Sequence, residues 1–437
     1  MQINVTIYHP AALNPTNLLD GRKHARSHRR WPGVHPFACC RHKAVPFLCR
    51  LDQLAYRILR RLLVSLSLVA AYLFVSVRAG AQPVDTVSLA VEVISHRAFL
   101  WKHTPRLTIR AGHVVFGQEV GLIWPTYGRR IWEAWRRYPL WGISLCYFRP
   151  GVRAHGEAWG IVPHLTIPLW RSRSWLTAFR IGTGIGYVTH PYDSFNNPAE
   201  NAIGSYWNNL TQFQLGLTCR LTRSWRLRAG AALTHLSNGA AKLPNFGINL
   251  PSCFFSILCS PVFFRREAFL PASAPNRAMR RFGMLIGGSF ARIEYAVVDG
   301  PKYAVWGASL SGLFHIDNLN RLTFSLESEY NPAVAEFSLL TGGALNVRAA
   351  RSGAVRLALA PGAEFLFGPI GIHVQAGIYA GSSNINRYVA APWYSRLTIR
   401  SYFPALPNVS IRPWVGISLK AHGVNAELIA LQLGVAY

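Results

Sequence analysis

The amino-acid sequence predicts an all-β protein, a transmembrane antiparallel β-barrel of roughly 12–16 strands. Many segments of about ten residues alternate apolar and polar residues, and a tilted strand needs about 9–11 residues to cross a bilayer. Only one apolar run, Leu62–Val77, approaches the length of a membrane helix. Charged residues make up 15% of the 437 residues, against about 25% in a typical soluble domain. These observations favour a membrane protein that crosses the bilayer with strands.

The N-terminal part of the chain has the pattern of an exported protein. Residues 55–81 combine basic residues, the apolar run and a small-residue motif ending at Ala81, which is typical of a cleaved signal peptide. A true membrane anchor is the alternative interpretation of this run. Residues 1–54 are rich in Arg, His and Pro and lack periodicity, so we interpret them as an over-extended gene start or a disordered leader. Residues 82–437 are then predicted to form one outer-membrane barrel.

The mature region divides into segments with the periodicity of strands. Alternation is clear in residues 211–220, where Phe213, Leu215 and Leu217 share one face and polar residues occupy the other. Successive side chains of a strand point to opposite faces, so each segment has one apolar and one polar face. Candidate strands begin near Val87, Thr108, Leu140, Gly160, Leu176, Thr211, Trp225, Pro251, Phe282, Tyr303, Arg321, Ala354, Gly371, Trp393, Ile411 and Glu427.

The C-terminal strand helps to separate a membrane barrel from a soluble β-sandwich. A sandwich also alternates, with its apolar face inside, so alternation alone leaves that fold open. The export signal and the strand lengths favour the barrel. The chain also ends with Leu431, Leu433, Val435 and Tyr437 on alternate positions. Such an ending resembles the assembly signal of bacterial outer-membrane barrels, so we expect the barrel-assembly machinery to be a partner through Tyr437.

The chain is strongly basic, with a formal net charge of +28. Such a charge is compatible with binding to nucleic acid, but the export signal argues against that partner. We expect outer-membrane lipids to be the partner instead, because basic groups near a membrane surface attract anionic headgroups. A general richness in arginine, without any specific partner, is the alternative.

A His–Ser pair lies at the end of the candidate strand that begins at Trp225. The even-numbered residues of this strand include Arg226 and Arg228 and are predicted to face the lumen, whereas its odd-numbered residues are apolar and are predicted to face lipid. His235 and Ser237 continue the odd series, so two polar residues lie on the apolar face. Polar side chains in hydrocarbon lose hydrogen bonds, although the cost fades near the interface. This placement indicates a function at the membrane surface.

The pair has the residue types and spacing of a nucleophile and its base. Residues i and i+2 of a strand share one face about 6.6–6.8 Å apart, so a histidine can bend toward a serine hydroxyl. The imidazole of His235 would take the hydroxyl proton as general base, and Ser237 would act as nucleophile. The alternative is that both are ordinary interface residues where the strand leaves the bilayer. The sequence has no metal-ligand spacing, phosphate loop or cofactor motif, so we expect neither a metal nor a cofactor.

The sequence around this pair resembles a known enzyme family. His235-x-Ser237-Asn238, followed by Pro244-Asn245-x-Gly247, resembles the lipid A 3-O-deacylase family of the PagL type. Two further segments, Gly182–Tyr187 and Asn201–Ser205, are similar to the larger acyloxyacyl hydrolase-like branch of that family. The resemblance extends over residues 85–260, and the rest of the chain has only the pattern of a barrel.

The resemblance implies an enzyme of the bacterial outer membrane, with its active site on the lipid-facing wall of a barrel. Family members hydrolyse the ester-linked acyl chain at the 3-position of lipid A, the membrane anchor of lipopolysaccharide, with a metal-free Ser-His-Glu triad. Carried over, Ser237 is the nucleophile and His235 the base. Asn238, Asn245 and backbone N–H groups around Gly239 are candidates for stabilising the oxyanion.

The third member of the implied triad departs from the family pattern. Fourteen residues after the histidine, where the best-known members carry an acid, this chain has Asn249. An asparagine can orient an imidazole but cannot stabilise an imidazolium by charge, and losing the acid of a serine protease costs about 10⁴ in turnover. Glu327 and Glu329 are poor substitutes, because their alternation points them at the lumen. We therefore take Asn249 as the third site residue and expect an activity that is weak, assisted by another acid, or absent.

Two other functions remain open on the sequence alone. A non-enzymatic barrel, either a channel or a structural protein with a degenerate site, would account for the predicted lumen arginines, which suit anion passage or pair with lumen acids. A phospholipase-like esterase would use the same His–Ser pair on a different lipid. The arginines concerned are Arg226, Arg228, Arg396, Arg400 and Arg412.

Overall fold

The computed structural model describes residues 89–108, 113–151, 153–260, 270–271, 281–295, 297–380, 392–407, 409–423 and 425–437. The predicted leader and signal peptide lie outside the described residues. The strands are β1 (Ala90–Phe99), β2 (Val114–Pro125), β3 (Leu140–Arg149), β4 (Ala158–Arg171), β5 (Trp175–Val188), β6 (Trp207–Arg220), β7 (Trp225–Ser237), β8 (Ile248–Cys259), β9 (Phe282–Glu294), β10 (Lys302–His315), β11 (Asn320–Tyr330), β12 (Val355–Phe367), β13 (Ile370–Ala380), β14 (Trp393–Tyr402), β15 (Arg412–His422) and β16 (Asn425–Ala436).

Short helices occupy some of the connections between strands. Helix α1 (Ile131–Trp135) lies between β2 and β3, and a 3₁₀ turn (Arg153–His155) lies between β3 and β4. Helices α2 (Pro332–Leu340) and α3 (Val347–Gly353) follow one another between β11 and β12. Within the described residues, none of the helices is both long and apolar enough to cross a bilayer.

The prediction of an all-β antiparallel barrel is confirmed, and each candidate strand corresponds to one of β1–β16. The structure differs from the prediction of one barrel over residues 82–437, because the strands close into two barrels of eight. Strand β8 pairs back to β1, and β16 pairs back to β9. Eight strands enclose an interior that side chains can just fill. Alternation along a strand carries no information about which strand closes the sheet, so the division was not visible in the sequence.

The two faces of each strand have the polarity that a membrane barrel requires. On β6, Leu215 and Leu217 are 51% and 45% exposed on the outer face, whereas Gln212 and Gln214 are buried inside. On β16, Leu431 and Leu433 are exposed and Gln432 is buried. Backbone groups in hydrocarbon must find partners within the protein, and closed sheets leave no free edge. The outer faces therefore form apolar belts suited to lipid.

Paired charges fill the middle of the first barrel. The carboxylate of Glu92 accepts hydrogen bonds from Arg180 at 2.5 Å, from Arg228 at 3.3 Å and from the Ser256 hydroxyl at 2.6 Å. Glu119 bonds to Arg180 and to His96. Buried charges are tolerated only when they are paired and hydrogen-bonded. This network therefore packs the lumen with side chains.

The second barrel is filled in the same way. Glu327 pairs with Arg396 at 2.6 Å, Glu364 pairs with Arg400 at 3.3 Å, and Glu329 pairs with Lys420 at 2.9 Å. Three of the arginines predicted to face a lumen, Arg228, Arg396 and Arg400, thus bond to lumen acids. Arg412 departs from that prediction. It is exposed at the first residue of β15, where its guanidinium lies 5.7 Å from the Tyr402 ring.

Most of the long connections lie at one end of each barrel, which we call the loop end, whereas residues 126–139 form one long connection at the opposite end of the first barrel. In the first barrel these connections are 100–113, 189–206 and 238–247, and in the second they include 331–354. Asn331 caps α2 by accepting a hydrogen bond from the backbone N–H of Ala333. The Ala333 side chain packs in the apolar core at the loop end of the second barrel. Long connections face the exterior in outer-membrane barrels, so the loop end corresponds to the outer leaflet.

The two barrels contact each other at both ends. At the loop end, the backbone N–H of Glu294 donates to the carbonyl of Ala240 at 2.8 Å. At the opposite end, the Arg136 guanidinium donates to the carbonyls of Leu319 and Leu366 at 2.7 and 3.0 Å. The loop that follows β7 is therefore held against the second barrel.

Replacement of Glu92 by Ala tests the interior network. The change leaves the guanidiniums of Arg180 and Arg228 under-compensated in a water-excluded interior, so we expect the free energy of unfolding to fall by about 3–5 kcal/mol. Urea titration of the refolded protein in lipid vesicles, followed by heat-modifiable gel mobility, measures this loss.

Arg173→Ala is the matched control, because it removes an exposed charge from the turn between β4 and β5. It should change the same free energy by no more than about 0.5 kcal/mol. Equal effects of Glu92→Ala and Arg173→Ala would show that the interior pairs do not stabilise the barrel.

Candidate active site

The site begins where β7 reaches the loop end. In the β7–β8 ladder His235 lies opposite Asn249, and in the β6–β7 ladder Ser237 lies opposite Asn209. His235 shares its face with the exposed Ala229 and Ala231, whereas the buried Leu236 points to the opposite face. The predicted outward direction of His235 is thus observed.

A chain of hydrogen bonds runs away from His235 across the outer wall. His235 Nδ1 lies 2.7 Å from Asn249 Oδ1, and Asn249 Nδ2 lies 2.9 Å from His103 Nδ1. His103 Nε2 in turn lies 3.0 Å from the carbonyl oxygen of Phe246. His103 belongs to the connection between β1 and β2, so three separate parts of the first barrel meet in this chain.

The Phe246 carbonyl at the end of the chain, together with the orientation of the Asn249 amide, gives the chain a consistent direction. A carbonyl only accepts, so His103 Nε2 must carry a proton toward Phe246. His103 Nδ1 lies 2.9 Å from the Asn249 amide nitrogen and 3.5 Å from the Trp101 carbonyl oxygen. In the tautomer that carries its proton on Nε2, Nδ1 accepts from the closer amide. The Asn249 oxygen is left facing His235, where it accepts from Nδ1–H. His235 Nε2 therefore keeps its lone pair free for the hydroxyl proton of a nucleophile.

This direction explains how an asparagine can stand at the position of an acid. When an asparagine replaces the aspartate of a serine protease, the cost of about 10⁴ is attributed to the wrong histidine tautomer. Here His103 holds the NH₂ group of Asn249 away from His235, so the favourable tautomer is kept. The charge of an acid is still missing. Asn249 therefore supplies orientation without electrostatic stabilisation of an imidazolium.

Ser237 is buried at the last residue of β7, with 1% of its surface exposed. Its hydroxyl has no hydrogen-bond partner among the described residues, so the structure does not join Ser237 to His235 directly. The chain turns sharply after it, because Gly239 and Ala240 both have positive φ values of 60° and 58°. Catalytic hydrogen bonds are often long or absent before substrate binds.

The two asparagines considered for the oxyanion have different environments. The Asn238 amide nitrogen donates to the Ser205 hydroxyl and to the Lys242 carbonyl, both at 2.8 Å. Asn245 accepts from the Asn238 backbone N–H at 2.9 Å through its oxygen, while its amide nitrogen is buried without a partner among the described residues. Asn245 thus has a free donor beside Ser237, and Asn238 does not.

Gly247 is required by the close packing around His235. Its φ is +81°, and a Cβ there would lie 2.8 Å from Cε1 of the imidazole. Its backbone N–H donates to the Ala202 carbonyl at 2.9 Å. Ala202 belongs to the segment Asn201–Ser205, which the sequence analysis singled out. That segment and the 244–247 segment therefore frame one side of the site.

Three polar side chains that were not among the residues predicted from the sequence extend the site along the outer wall. Thr211 lies opposite His235 in the β6–β7 ladder, and Thr183 lies opposite Thr211 in the β5–β6 ladder. Asn209 donates to Thr183 at 2.8 Å and accepts from Thr211 at 2.7 Å. Alternation could have flagged Asn209 and Thr211, because both interrupt the outward apolar series of β6.

His103 was also missed, and no signal in the sequence marks it. It lies in an irregular connection far from the His-x-Ser motif, and only the closure of β1 on β8 brings it to Asn249. The structure therefore places Asn249 beside His235 and His103 behind Asn249.

Two family models match this chain. Residues 117–257 match a model described as lipid A 3-O-deacylase (PagL), and residues 281–437 match the acyloxyacyl hydrolase C-terminal domain. The first match includes β7, β8 and the site, and the second covers the second barrel. No curated protein matches the chain.

Several solved structures are similar at low sequence identity. The crystal structure of the outer membrane enzyme PagL is 16% identical, covers 38% of this chain and 97% of its own, and gives a TM-score of 0.26. The KdgM porin is 8% identical with coverage of 64% and 92% and a TM-score of 0.16. A BenF-like porin from Pseudomonas fluorescens Pf-5 is 8% identical with coverage of 81% and 98% and a TM-score of 0.20. At these sequence identities and TM-scores, the similarity gives no information about activity.

His103→Ala tests the orientation of His235 without requiring a substrate. The Asn249 amide loses its acceptor and can turn its NH₂ group toward His235, which disfavours the required tautomer. Loss of orientation of this kind costs roughly 10- to 100-fold, so we expect covalent labelling of Ser237 by a fluorophosphonate to slow by that factor. Lys102→Ala, an exposed neighbour, is the control and should leave the rate unchanged. Equal rates for His103→Ala and the unmodified protein would contradict the direction assigned to the chain.

Proposed function

Because residues 117–257 belong to the lipid A 3-O-deacylase family and residues 281–437 to the acyloxyacyl hydrolase C-terminal domain family, we propose that Ser237 and His235 of this bacterial outer-membrane protein hydrolyse an ester-linked acyl chain of lipid A. The observation that carries the proposal is the directed hydrogen-bond chain from Phe246 through His103 and Asn249, which leaves His235 Nε2 free to accept a proton. A structural histidine would not need such an arrangement on an outer wall.

The reaction follows acyl transfer with a serine nucleophile. His235 Nε2 takes the hydroxyl proton while Ser237 Oγ bonds to the carbonyl carbon of the ester. The ester carbon–oxygen bond then breaks, and His235 returns the proton to the leaving sugar hydroxyl. A water molecule, deprotonated by His235, next attacks the acyl-serine and releases the fatty acid and the Ser237 hydroxyl. The same imidazole serves as base and acid in both halves.

Asn245 is the residue we assign to the oxyanion. Its amide nitrogen is the free buried donor beside Ser237, whereas the Asn238 amide is committed to Ser205 and Lys242. A fixed donor aimed at developing negative charge stabilises the transition state more than the ground state. Asn238 then serves the turn that follows Ser237 rather than the reaction.

The position of the site suits a substrate held in the membrane. His235 faces outward at the loop end, which corresponds to the outer leaflet, and apolar residues such as Leu233 continue the same face toward the bilayer centre. An acyl chain in the bilayer can lie along this wall while its ester reaches Ser237. A soluble ester would gain nothing from that apolar approach. This geometry favours a lipid over a soluble ester. It suits lipid A and phospholipid, the substrate of the alternative esterase, equally well.

A channel is the less favoured alternative. The lumen arginines expected to attract anions bond to lumen acids instead, as in Arg228–Glu92 and Arg396–Glu327. Both barrels also have buried apolar cores near the loop end. Neither observation is expected of an open pore.

The C-terminal residue remains a proposed recognition element for assembly. Tyr437 is exposed, and its backbone bonds to Met284 on β9 at 2.9 and 3.0 Å. We propose that the barrel-assembly machinery binds strand β16 during assembly, and that β9 then replaces the machinery as the partner of β16.

Ser237→Ala is the direct test of the proposed function. In a host that expresses the unmodified gene, mass spectra should show lipid A that has lost one ester-linked acyl chain. Expression of the variant should leave the lipid A of the host unchanged. Ser224→Ala, in the turn that precedes β7, should retain full activity. Identical spectra for the unmodified protein and Ser237→Ala would contradict the proposal for that lipid A, and phospholipid assayed in parallel would identify the alternative esterase.

A double-mutant cycle tests the role of Asn249 in the same reaction. Both oxygens of a carboxylate accept hydrogen bonds, so Asn249→Asp has no unfavourable orientation for His103 to prevent. We expect His103→Ala to lower kcat by roughly 10- to 100-fold when Asn249 is present, and by less than about 2-fold in the Asn249→Asp background, where an aspartate orients His235 unaided. Equal losses in the two backgrounds would mean that His103 does not act through the orientation of Asn249.

A further inference from the structure

The outer wall of the second barrel forms part of the surroundings of Ser237. A Cβ on Gly239 would lie 2.6 Å from the backbone nitrogen of Ile429 and 2.5 Å from its Cγ1. One residue further, the Ala240 carbonyl accepts from the Glu294 backbone N–H at 2.8 Å. The turn after Ser237 therefore rests on β9 and β16 of the second barrel, and groups on those strands lie beside the reacting ester.

Arg292 lies on the face of the second barrel that meets this turn. The β9–β16 ladder ends at the pair Leu431–Phe290, and Arg292 lies two residues beyond that pair and two residues before Glu294, whose backbone N–H bonds to Ala240. Phe290 and Arg292 are exposed while Ala291 and Ile293 are buried, so Arg292 points outward. Residues two apart on a strand are separated by about 6.6–6.8 Å. Arg292 therefore lies close to the point where Glu294 bonds to the turn after Ser237.

Arg292 has neither an ion pair nor a side-chain hydrogen bond recorded among the described residues, in contrast to the charges around it. Lys242, in the loop after Ser237, pairs with Asp299 at 3.5 Å. Glu294 has a buried side chain, which lies 3.9 Å from the Lys302 ammonium. An outward arginine is strongly unfavourable at the bilayer midplane, but its cost falls to near zero at the interface. An outward guanidinium at the loop end is thus suited to the headgroup level, where an anionic group can pair with it.

We infer that Arg292 binds a phosphate of the lipid A headgroup while the acyl ester lies at Ser237, so that the second barrel supplies a headgroup subsite to the active site of the first. A guanidinium binds phosphate through two parallel hydrogen bonds, which fixes orientation as well as charge. Lipid A carries phosphate on its sugars, close to the ester-linked chains. The inference rests on the proposed function and names the part of the substrate that is recognised.

Kinetics on two substrates test this subsite. In zwitterionic detergent micelles, Arg292→Ala should raise KM for phosphorylated lipid A by about 10-fold, since a hydrogen-bonded charge pair contributes that much affinity. The value of kcat should stay within about 2-fold, and KM for enzymatically dephosphorylated lipid A should not change. Arg292→Lys should recover part of the affinity, because an ammonium keeps the charge but loses the bidentate geometry.

Arg149→Ala is the matched control. Arg149 is an exposed arginine at the loop end of β3, on the side of the first barrel remote from β7, and its removal should leave both KM values unchanged. An equal rise in KM for phosphorylated and dephosphorylated lipid A after Arg292→Ala would overturn the inference, and so would an unchanged KM or a fall in kcat alone.

A binding measurement separates this inference from the proposed function. In the inactive Ser237→Ala background, Arg292→Ala should weaken binding of fluorescent phosphorylated lipid A by about 10-fold. Competition with vesicles of phosphatidylglycerol tests whether any lipid phosphate suffices. Displacement of the bound fluorescent lipid A by these vesicles at equal phosphate concentration would overturn the assignment to lipid A. Absence of turnover in the unmodified protein, with this binding difference intact, would contradict the proposed function and leave the subsite standing.

Discussion

The rest of the structure depends on the closure of each sheet by backbone hydrogen bonds between its first and last strands. In hydrocarbon every backbone polar group needs a partner inside the protein, and a free edge would leave a row of them exposed. Strands β1 and β8 meet in one barrel and β9 and β16 in the other. Once the sheets close, alternate side chains have only two destinations. Charged residues such as Glu92 and Arg180 must pair in the lumen, and apolar residues cover the outer wall.

The same closure assembles the site. His103 follows β1 and Asn249 lies near the start of β8, so the two meet only because β1 and β8 are neighbours. A polar chain on an outer wall is stable only if each donor finds an acceptor, and here the Phe246 carbonyl ends it. With the His103 tautomer that donates to Phe246, the Asn249 oxygen accepts the proton on His235 Nδ1. The replacement of an acid by Asn249 is therefore compatible with an oriented imidazole, at the loss of the acid's charge.

The second barrel extends the site beyond the residues that the family motif contains. The turn after Ser237 has two consecutive left-handed residues, a conformation that is unfavourable for Ala240. Contacts to Ile429 and Glu294 hold that turn in place. An enzyme that binds a large amphipathic lipid needs separate surfaces for acyl chain, ester and headgroup. Two adjacent barrels offer such surfaces on their outer walls, and under the proposed function the C-terminal half of the chain would contribute the headgroup surface.

By itself, the sequence determined the all-β class, the starts of the strands to within four residues except for β2, which begins six residues after the predicted Thr108, and the outward direction of His235. These properties are local, because alternation along one strand reports which face each side chain takes. Tertiary structure alone decided that the strands form two barrels instead of one, because the partner of an end strand is not encoded in its own periodicity. It also decided that His103 stands behind Asn249, that Asn245 and not Asn238 keeps a free amide, and that Arg292 lies beside the turn after Ser237. Each depends on residues that are distant in the chain and adjacent only after closure.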